Sequence, residues 1–367
     1  MTSRSGLAVV AALLAACSGP ADSGATTVSD VATTTGATAS TEVSTTTVPG
    51  EPTTTTTVAG TPTTGPVPVG APTGILVAGE AGIDLVVDGT ATTILAVPAS
   101  IAADDLMGGI IFQRLEADDG FGAPEDTIVW WLPAGAAEAQ GLLVPSGDDR
   151  LRLVGVEAID SSPTVVYIRR TNPNDFETAE DTLRLYDVAS AGVSEIRTVG
   201  GWESGVGGLT YGGGIFAANW FGEAYSGFDF FDAEGRDVDV AADPYPTDAI
   251  CFDGTIEPGG GRCFDNVAIS ADGDLLGYTV VVADDGGIAR RLDLVIVGVG
   301  DGTERARITL RDQEPFSAGP LDLLGDLVLV GTGVEGGNAM LVDMASETVT
   351  SLDARGTARF ALTLTDR

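Results

Sequence analysis

The residues that most often carry enzyme chemistry are missing from this chain. It has 367 residues and no histidine, and its 18 basic residues are all arginine. Without histidine there is no Ser-His-Asp or Cys-His nucleophile system and no histidine-ligated metal site, and without lysine there is no Schiff base. The composition therefore predicts no catalytic residue, no cofactor and no metal ligand, and it favours a binding protein over an enzyme.

One catalytic alternative stays open. Two carboxylates roughly 5–10 Å apart can hydrolyse a glycosidic bond. The sequence has 53 acidic residues and singles out no pair among them. Two acidic loops with glycine, residues 118–126 and 283–287, do not match the twelve-residue calcium loop, and we interpret them as turns.

The acidic residues also set the net charge, which is −35 at pH 7. Nucleic acid and anionic lipid headgroups would be repelled by such a surface. The charge is consistent with a cationic partner, but general acidity for solubility is the favoured explanation. We therefore expect no nucleic-acid partner.

Cys17 follows a short apolar segment at the N-terminus. Arg4 precedes an apolar run over 7–16 that is about ten residues long, too short to span a bilayer. Residues 14–17, Leu-Ala-Ala-Cys, resemble the bacterial lipoprotein box, in which a lipidated cysteine becomes the new N-terminus. The resemblance implies that 1–16 is a lipoprotein signal peptide, that Cys17 carries the lipid, and that the protein is anchored to the outer face of the bacterial cell membrane.

Residues 17–72 differ in composition from the rest of the chain. After Cys17 they are almost entirely Thr, Ala, Gly, Pro, Ser and Val, and they contain no aromatic residue. Such a segment cannot bury enough apolar surface to offset the entropy of ordering it. We expect a disordered, Thr/Pro-rich linker that holds an extracytoplasmic domain, residues 73–367, away from the membrane.

The other two cysteines and two tryptophans are the remaining candidate site residues. Cys251 and Cys263 flank a glycine-rich loop, and an even pair in an exported protein predicts a disulfide. Trp202 and Trp220 lie in the glycine- and aromatic-rich stretch 200–231. They flank the predicted strands, which makes them candidates for a surface that binds a glycan or a protein, although packing between strands is the ordinary use of aromatic residues.

A repeat sets the predicted architecture of 73–367. Alternating apolar hairpins recur about every 50 residues, with a second tight hairpin in each gap. Two hairpins per repeat give four antiparallel strands, the blade of a β-propeller. The repeats predict an all-β domain with six blades, in which the C-terminal segment 358–367 supplies the inner strand that the first blade lacks. The equivalent positions are Leu85, Trp130, Leu185, Phe230, Leu294 and Leu341.

One blade carries a recognisable motif. In "VAISADGDLLGYTVV", Ser270, Asp272, Gly273 and Tyr278 match the repeat of TolB-type bacterial propellers, whose Ser-x-Asp-Gly forms the turn between the first two strands. The other blades have the hairpins but not these motif residues. The resemblance supports the propeller over its rival, a pair of β-sandwiches, and it implies no catalytic residue.

The sequence thus predicts a lipid-anchored extracytoplasmic propeller that binds or scaffolds a protein or glycan partner, with the ligand at one mouth of the central channel. The alternative is a carbohydrate-active enzyme that uses a carboxylate pair.

Overall fold

The computed structural model of the chain describes residues 72–364, apart from 116–126, 176–177, 202–203, 223–225, 242–250, 253–254, 257–261, 284–287, 313–318 and 333–336. At 201, 204–205, 207, 220–222, 226, 251–252, 255–256, 262–265 and 283 it describes the backbone alone. No helix in this described part is long and apolar enough to cross a membrane. The predicted signal peptide, Cys17 and nearly all of the linker lie outside it.

Six antiparallel sheets, five with four strands and one with three, are the blades of a six-bladed propeller. From the inner strand outward, blade 1 consists of β25 (Thr357–Ala361), β1 (Gly74–Gly79), β2 (Gly82–Val87) and β3 (Thr90–Leu95). Blade 2 consists of β4 (Ala99–Asp104), β5 (Ile110–Arg114), β6 (Val129–Leu132) and β7 (Gln140–Leu143). Blade 3 consists of β8 (Arg150–Ile159), β9 (Ser162–Thr171), β10 (Glu180–Asp187) and β11 (Gly192–Gly201).

The other three blades follow the same order. Blade 4 consists of β12 (Ser204–Gly212), β13 (Ile215–Gly222) and β14 (Ser226–Asp232), and a bridge from Phe231 to Asp237 stands in the place of its fourth strand. A separate hairpin of β15 (Cys251–Phe252) and β16 (Thr255–Ile256) comes next in the chain. Blade 5 consists of β17 (Arg262–Ile269), β18 (Leu275–Ala283), β19 (Ala289–Gly298) and β20 (Glu304–Arg311), and blade 6 of β21 (Leu321–Leu324), β22 (Leu327–Val330), β23 (Met340–Asp343) and β24 (Thr348–Ser351).

The predicted repeat is confirmed by the strands on which its equivalent residues lie. All six residues taken as equivalent lie on the third strand of their blades, on β2, β6, β10, β14, β19 and β23. An apolar residue recurs there because both faces of a blade pack against neighbouring blades. Trp130 packs towards blade 1, the preceding blade, whereas the other five pack towards the following blade.

The hydrophobic core is divided among the interfaces between blades. Six clusters of buried side chains occur in the described residues, one between each pair of neighbouring blades. Between blades 5 and 6, for example, Leu294 and Ile296 pack with Val328 and Val330. Each blade is therefore stabilised mainly by its two neighbours, so the ring must close for every interface to be complete.

The two ends of the folded chain close this ring. Strand β25 lies antiparallel to β1, with Ile75 opposite Phe360 and Val77 opposite Ala358. The backbone N–H of Thr73 also donates to the carbonyl of Ala361 at 2.7 Å. The predicted closure by the C-terminal segment is confirmed, and it leaves β1 without a free edge.

The Ser-x-Asp-Gly motif forms the turn between β17 and β18, as the resemblance implied. The Ser270 hydroxyl accepts from the N–H of Leu275 at 2.9 Å, and the Ser270 carbonyl accepts from the N–H of Gly273 at 2.8 Å. Gly273 has a φ of +80°, a conformation that favours glycine.

Candidate ligand-binding channel

The predicted tryptophan surface falls where the structure gives no side chains. Trp202 lies outside the described residues, and Trp220 is on β13, the second strand of blade 4, with only its backbone described. Cys251 and Cys263 lie on β15 and β17, again with the backbone alone. The tryptophan surface and the disulfide therefore stay predictions.

A different set of residues lines the centre of the propeller. The inner strands β4, β8, β12, β17, β21 and β25 follow one another around the ring. They enclose two cavities that succeed each other along these strands. Both cavities are lined by residues from all six inner strands, so every blade contributes to the channel.

Backbone bulges shape this channel. The pairing register of β4, β8, β12 and β17 with the second strand of each blade shifts by one residue near the middle of the channel. A bulge leaves backbone groups unpaired in the sheet and turns them aside. Side chains of other blades take up such carbonyl groups: Thr357 Oγ1 donates to Ser100 O at 2.7 Å, Arg359 Nη2 to Val154 O at 3.1 Å, and Arg152 Nη2 to Val206 O at 2.6 Å.

Arg359 stands between the two cavities and lines both. It lies on β25, the closing strand, and is only 8% exposed. Besides Val154 O, its guanidinium donates to Leu321 O at 3.1 Å and lies 3.9 Å from the carboxylate of Asp322. This side chain therefore joins blades 1, 3 and 6 across the channel.

One cavity, which we call the acidic end, has a volume of about 110 Å³ and contains Asp104, Glu157 and Asp322. Glu157 is partly buried beside the cavity, and desolvation raises its pKa to about 8, although the charge of Arg359 acts in the opposite direction. Burial also raises the pKa of Asp322, opposed by Arg359 and by the N–H of Phe360. Since Glu157 is mostly protonated at pH 7, this end carries less negative charge than its composition suggests.

The third carboxylate of the acidic end, Asp104, is fully engaged by the C-terminal segment. It accepts from the N–H of Leu106 at 2.8 Å and of Leu362 at 2.7 Å, and from the hydroxyl of Thr363 at 2.6 Å. The N–H of Thr363 donates to it as well. Asp104 is therefore a structural latch that fastens the chain after β25 to blade 2, and it has little capacity left for a ligand.

The other cavity, which we call the arginine end, has a volume of about 230 Å³. Its charged residues among the described ones are Arg152 and Arg359, and no Asp or Glu is found among the described residues that line it. Gln113 forms a fixed part of the wall, because its amide donates to Thr127 O and Leu151 O and accepts from the N–H of Leu153. Two guanidinium groups and an amide thus line this cavity.

Sequence reasoning missed these channel residues. It placed a ligand at a mouth of the channel but named no residue there, because a single arginine or glutamate on a strand has no local pattern that marks it as channel-lining. Among the described residues no group of three or more Cys, Asp or Glu side chains is arranged to hold a metal ion.

The fold and this site define a six-bladed propeller with a charged central channel. No protein-family model matches the sequence, and the comparison with curated proteins gave no match either. Similar solved structures include an oligogalacturonate lyase in complex with manganese (12% identity, 75% of this chain and 70% of that chain covered, TM-score 0.43). They also include the β-propeller domain of the Trilobed protease from Pyrococcus furiosus, described as having an open velcro topology (14% identity, 75% and 74% covered, TM-score 0.39). At this level of similarity the assignment of the fold rests on the strand pairing above.

Proposed function

We propose that this protein is a lipid-anchored binding or scaffold propeller, held on the outer face of a bacterial cell membrane by Cys17 and the linker 17–72. Its partner is a protein or a glycan that engages the central channel. The observation that carries the binding role is the channel itself, in which charged side chains from several blades line two cavities. The lipid anchor is supported by the sequence around Cys17.

The anchor is tested with Cys17→Ala in a bacterial host that lipidates exported proteins. We expect the wild-type chain to carry acyl chains and to sediment with membranes, because several acyl chains bind a bilayer firmly. The Cys17→Ala chain should have no acyl mass and should be released or retained as precursor. Ser18→Ala is the matched control and should remain acylated. A Cys17→Ala chain that is still acylated and membrane-bound would contradict the proposal.

Intact-mass spectrometry, which detects the acyl chains, also tests the proposed Cys251–Cys263 disulfide. We expect neither cysteine to react with an alkylating reagent under native, non-reducing conditions. Full alkylation of both would contradict the bridge.

The alternative, a carbohydrate-active enzyme, has one observation in its favour. At the acidic end a carboxyl group with a raised pKa, Glu157, shares a cavity with a second carboxyl group, Asp322. A raised pKa is typical of the general acid in glycoside hydrolysis. However, a cavity of about 110 Å³ is smaller than the roughly 150 Å³ that holds benzene, and a sugar ring is larger than benzene.

A glycan array with product analysis separates these two functions. We expect the full chain to retain glycans without cleaving them, or to retain none if its partner is a protein. Glycan turnover that is abolished by Glu157→Gln or Asp322→Asn would establish the enzyme instead.

A further inference from the structure

The arginine end of the channel has the opposite charge to the protein as a whole. The chain carries a net charge of −35. Yet among the described residues that line this cavity there are two arginines and no acidic residue. Because the acidic residues outnumber the basic ones about three to one, a cavity of this composition is the reverse of what the overall composition would give.

Arg152 has no ion pair among the described residues, and Asp181, whose charge acts on it, is already paired with Arg170. The Nη2 of Arg152 donates to the carbonyl of Val206 at 2.6 Å. The side chain is accessible from the channel, while the surrounding protein removes bulk water from it. This desolvation lowers the pKa of Arg152. The charge of Asp181 raises that pKa, and the charge of Arg170 lowers it. A guanidinium group stays protonated under these conditions, so its charge remains in the cavity.

Arg359 is the second cation that lines this cavity. Both of its terminal nitrogens donate to backbone carbonyls. Its Nε is buried and has no hydrogen-bond partner in the described part of the chain. Leaving a buried donor of a charged group unsatisfied is costly, and the Asp322 carboxylate, 3.9 Å away at the acidic end, balances the charge of Arg359 only in part because burial raises its own pKa.

We propose that the arginine end binds the carboxylate or phosphate group of a small molecule. Planar oxyanions match the geometry of guanidinium donors, and a charge-assisted hydrogen bond is about twice as strong as a neutral one. The cavity of about 230 Å³ exceeds the roughly 150 Å³ that holds benzene, which allows a ligand of monosaccharide size. This inference deepens the proposed function, because it names the chemical group that the channel recognises.

Binding is measured by titration calorimetry on the full chain in detergent with three probes: glucuronate, inorganic phosphate and, as the neutral match to glucuronate, glucose. We expect glucuronate, phosphate or both to bind and glucose not to bind. Binding of glucuronate alone identifies the carboxylate as the recognised group, and binding of phosphate alone identifies the phosphate group.

Arg152→Gln removes the charge and keeps an amide donor. It should weaken binding of the oxyanion by about tenfold or more, as expected for a hydrogen bond to a charged group. Arg152→Lys keeps the charge without the planar donor pair and should bind with intermediate affinity. Arg305→Gln is the matched control, because it makes the same change in net charge at an exposed residue paired with Asp301 on the turn between β19 and β20. It should change the affinity by less than about twofold.

The proposal is overturned if neither oxyanion binds the wild-type chain, if glucose binds as tightly as glucuronate, or if Arg152→Gln and Arg305→Gln weaken binding equally. Such a result leaves the membrane fractionation of Cys17→Ala unchanged, so the failure of this inference and that of the lipid anchor are distinguishable.

Discussion

The two ends of the channel handle their charges in different ways. At the acidic end the charge of each carboxyl group is balanced or removed within the protein. Asp104 accepts hydrogen bonds from the C-terminal amides, and Asp322 accepts from the N–H of Phe360 and lies near Arg359. Glu157 is neutralised by protonation. At the arginine end Arg152 donates to one backbone carbonyl, and Asp181, whose charge acts on it, is paired with Arg170. The acidic end is therefore built for stability, and the arginine end keeps a charge available for a ligand. Net composition does not reveal this difference, because it depends on which charges are neutralised locally.

The largest expected effect comes from removing β25, the strand that carries Arg359 between the two ends. Deleting 358–367 takes away most of β25, including Arg359, and exposes the edges of β1 and the neighbouring blades. Because each blade depends on its two neighbours, we expect loss of the cooperative thermal transition or a fall in Tm of more than 15 °C.

Deleting only 365–367 is the control, since it keeps β25 and Thr363 in place. Its Tm should match the wild type within about 1 °C, as for a substitution away from any packed feature. An unchanged Tm after deletion of 358–367 would mean that β25 does not hold the ring closed.

A second prediction concerns the latch at the acidic end. Asp104→Asn replaces an oxygen that accepts hydrogen bonds from the C-terminal amides by an NH₂ group that cannot accept them. The loss of charge-assisted bonds and the unsatisfied donors should destabilise the domain by about 2–4 kcal/mol. For a domain of this size we expect a fall in Tm of about 4–8 °C.

Asp84→Asn is the control for the latch, because Asp84 accepts one exposed hydrogen bond, from the hydroxyl of Thr93, within the described part of the chain. It should cost less than about 0.5 kcal/mol. Equal losses in the two variants would show that Asp104 has no special role, and the contrast between a structural end and a ligand-binding end would weaken.

The architecture was predictable from the sequence because it is a repeat. Leu185 and Leu294 recur at the same place in their blades, and each blade needs an apolar residue there to pack against its neighbour. The closing strand was predictable too, since the first blade had only three strands in sequence order. The Ser270 turn follows from local hydrogen bonds within five residues.

The channel could not be predicted in the same way. Arg359 and Val154 are 205 positions apart and meet only because the ring closes. The carbonyl of Val154 turns towards Arg359 at a bulge in β8, and no residue type marks that bulge in the sequence. The predicted tryptophan surface drew on local composition, whereas the charged channel arises from single residues on different blades.

The smallest expected effect is a pH dependence at the acidic end. The pKa of Glu157 is raised from about 4.5 to about 8 in the folded protein. Between these values the folded state binds a proton that the unfolded state has lost, so the contribution of Glu157 to stability is complete below pH 4.5 and is lost as the pH rises through 8.

Glu157→Gln removes this dependence because glutamine is neutral at every pH. The variant and the wild type should have similar free energies of unfolding at pH 5. At pH 8.5 the variant should be the more stable, by roughly 1–2 kcal/mol once screening by water in the channel is allowed for. Asp343→Asn is the control: hydrogen bonds from Ser346 hold the pKa of that exposed carboxyl below its usual range, so its effect should be the same at both pH values. Denaturant unfolding at the two pH values measures all three chains.

Parallel pH profiles for wild type and Glu157→Gln would mean that Glu157 is ionised beside Arg359 at neutral pH. The acidic end would then carry a negative charge that could receive a cationic group, and the contrast between the two ends would become one of sign.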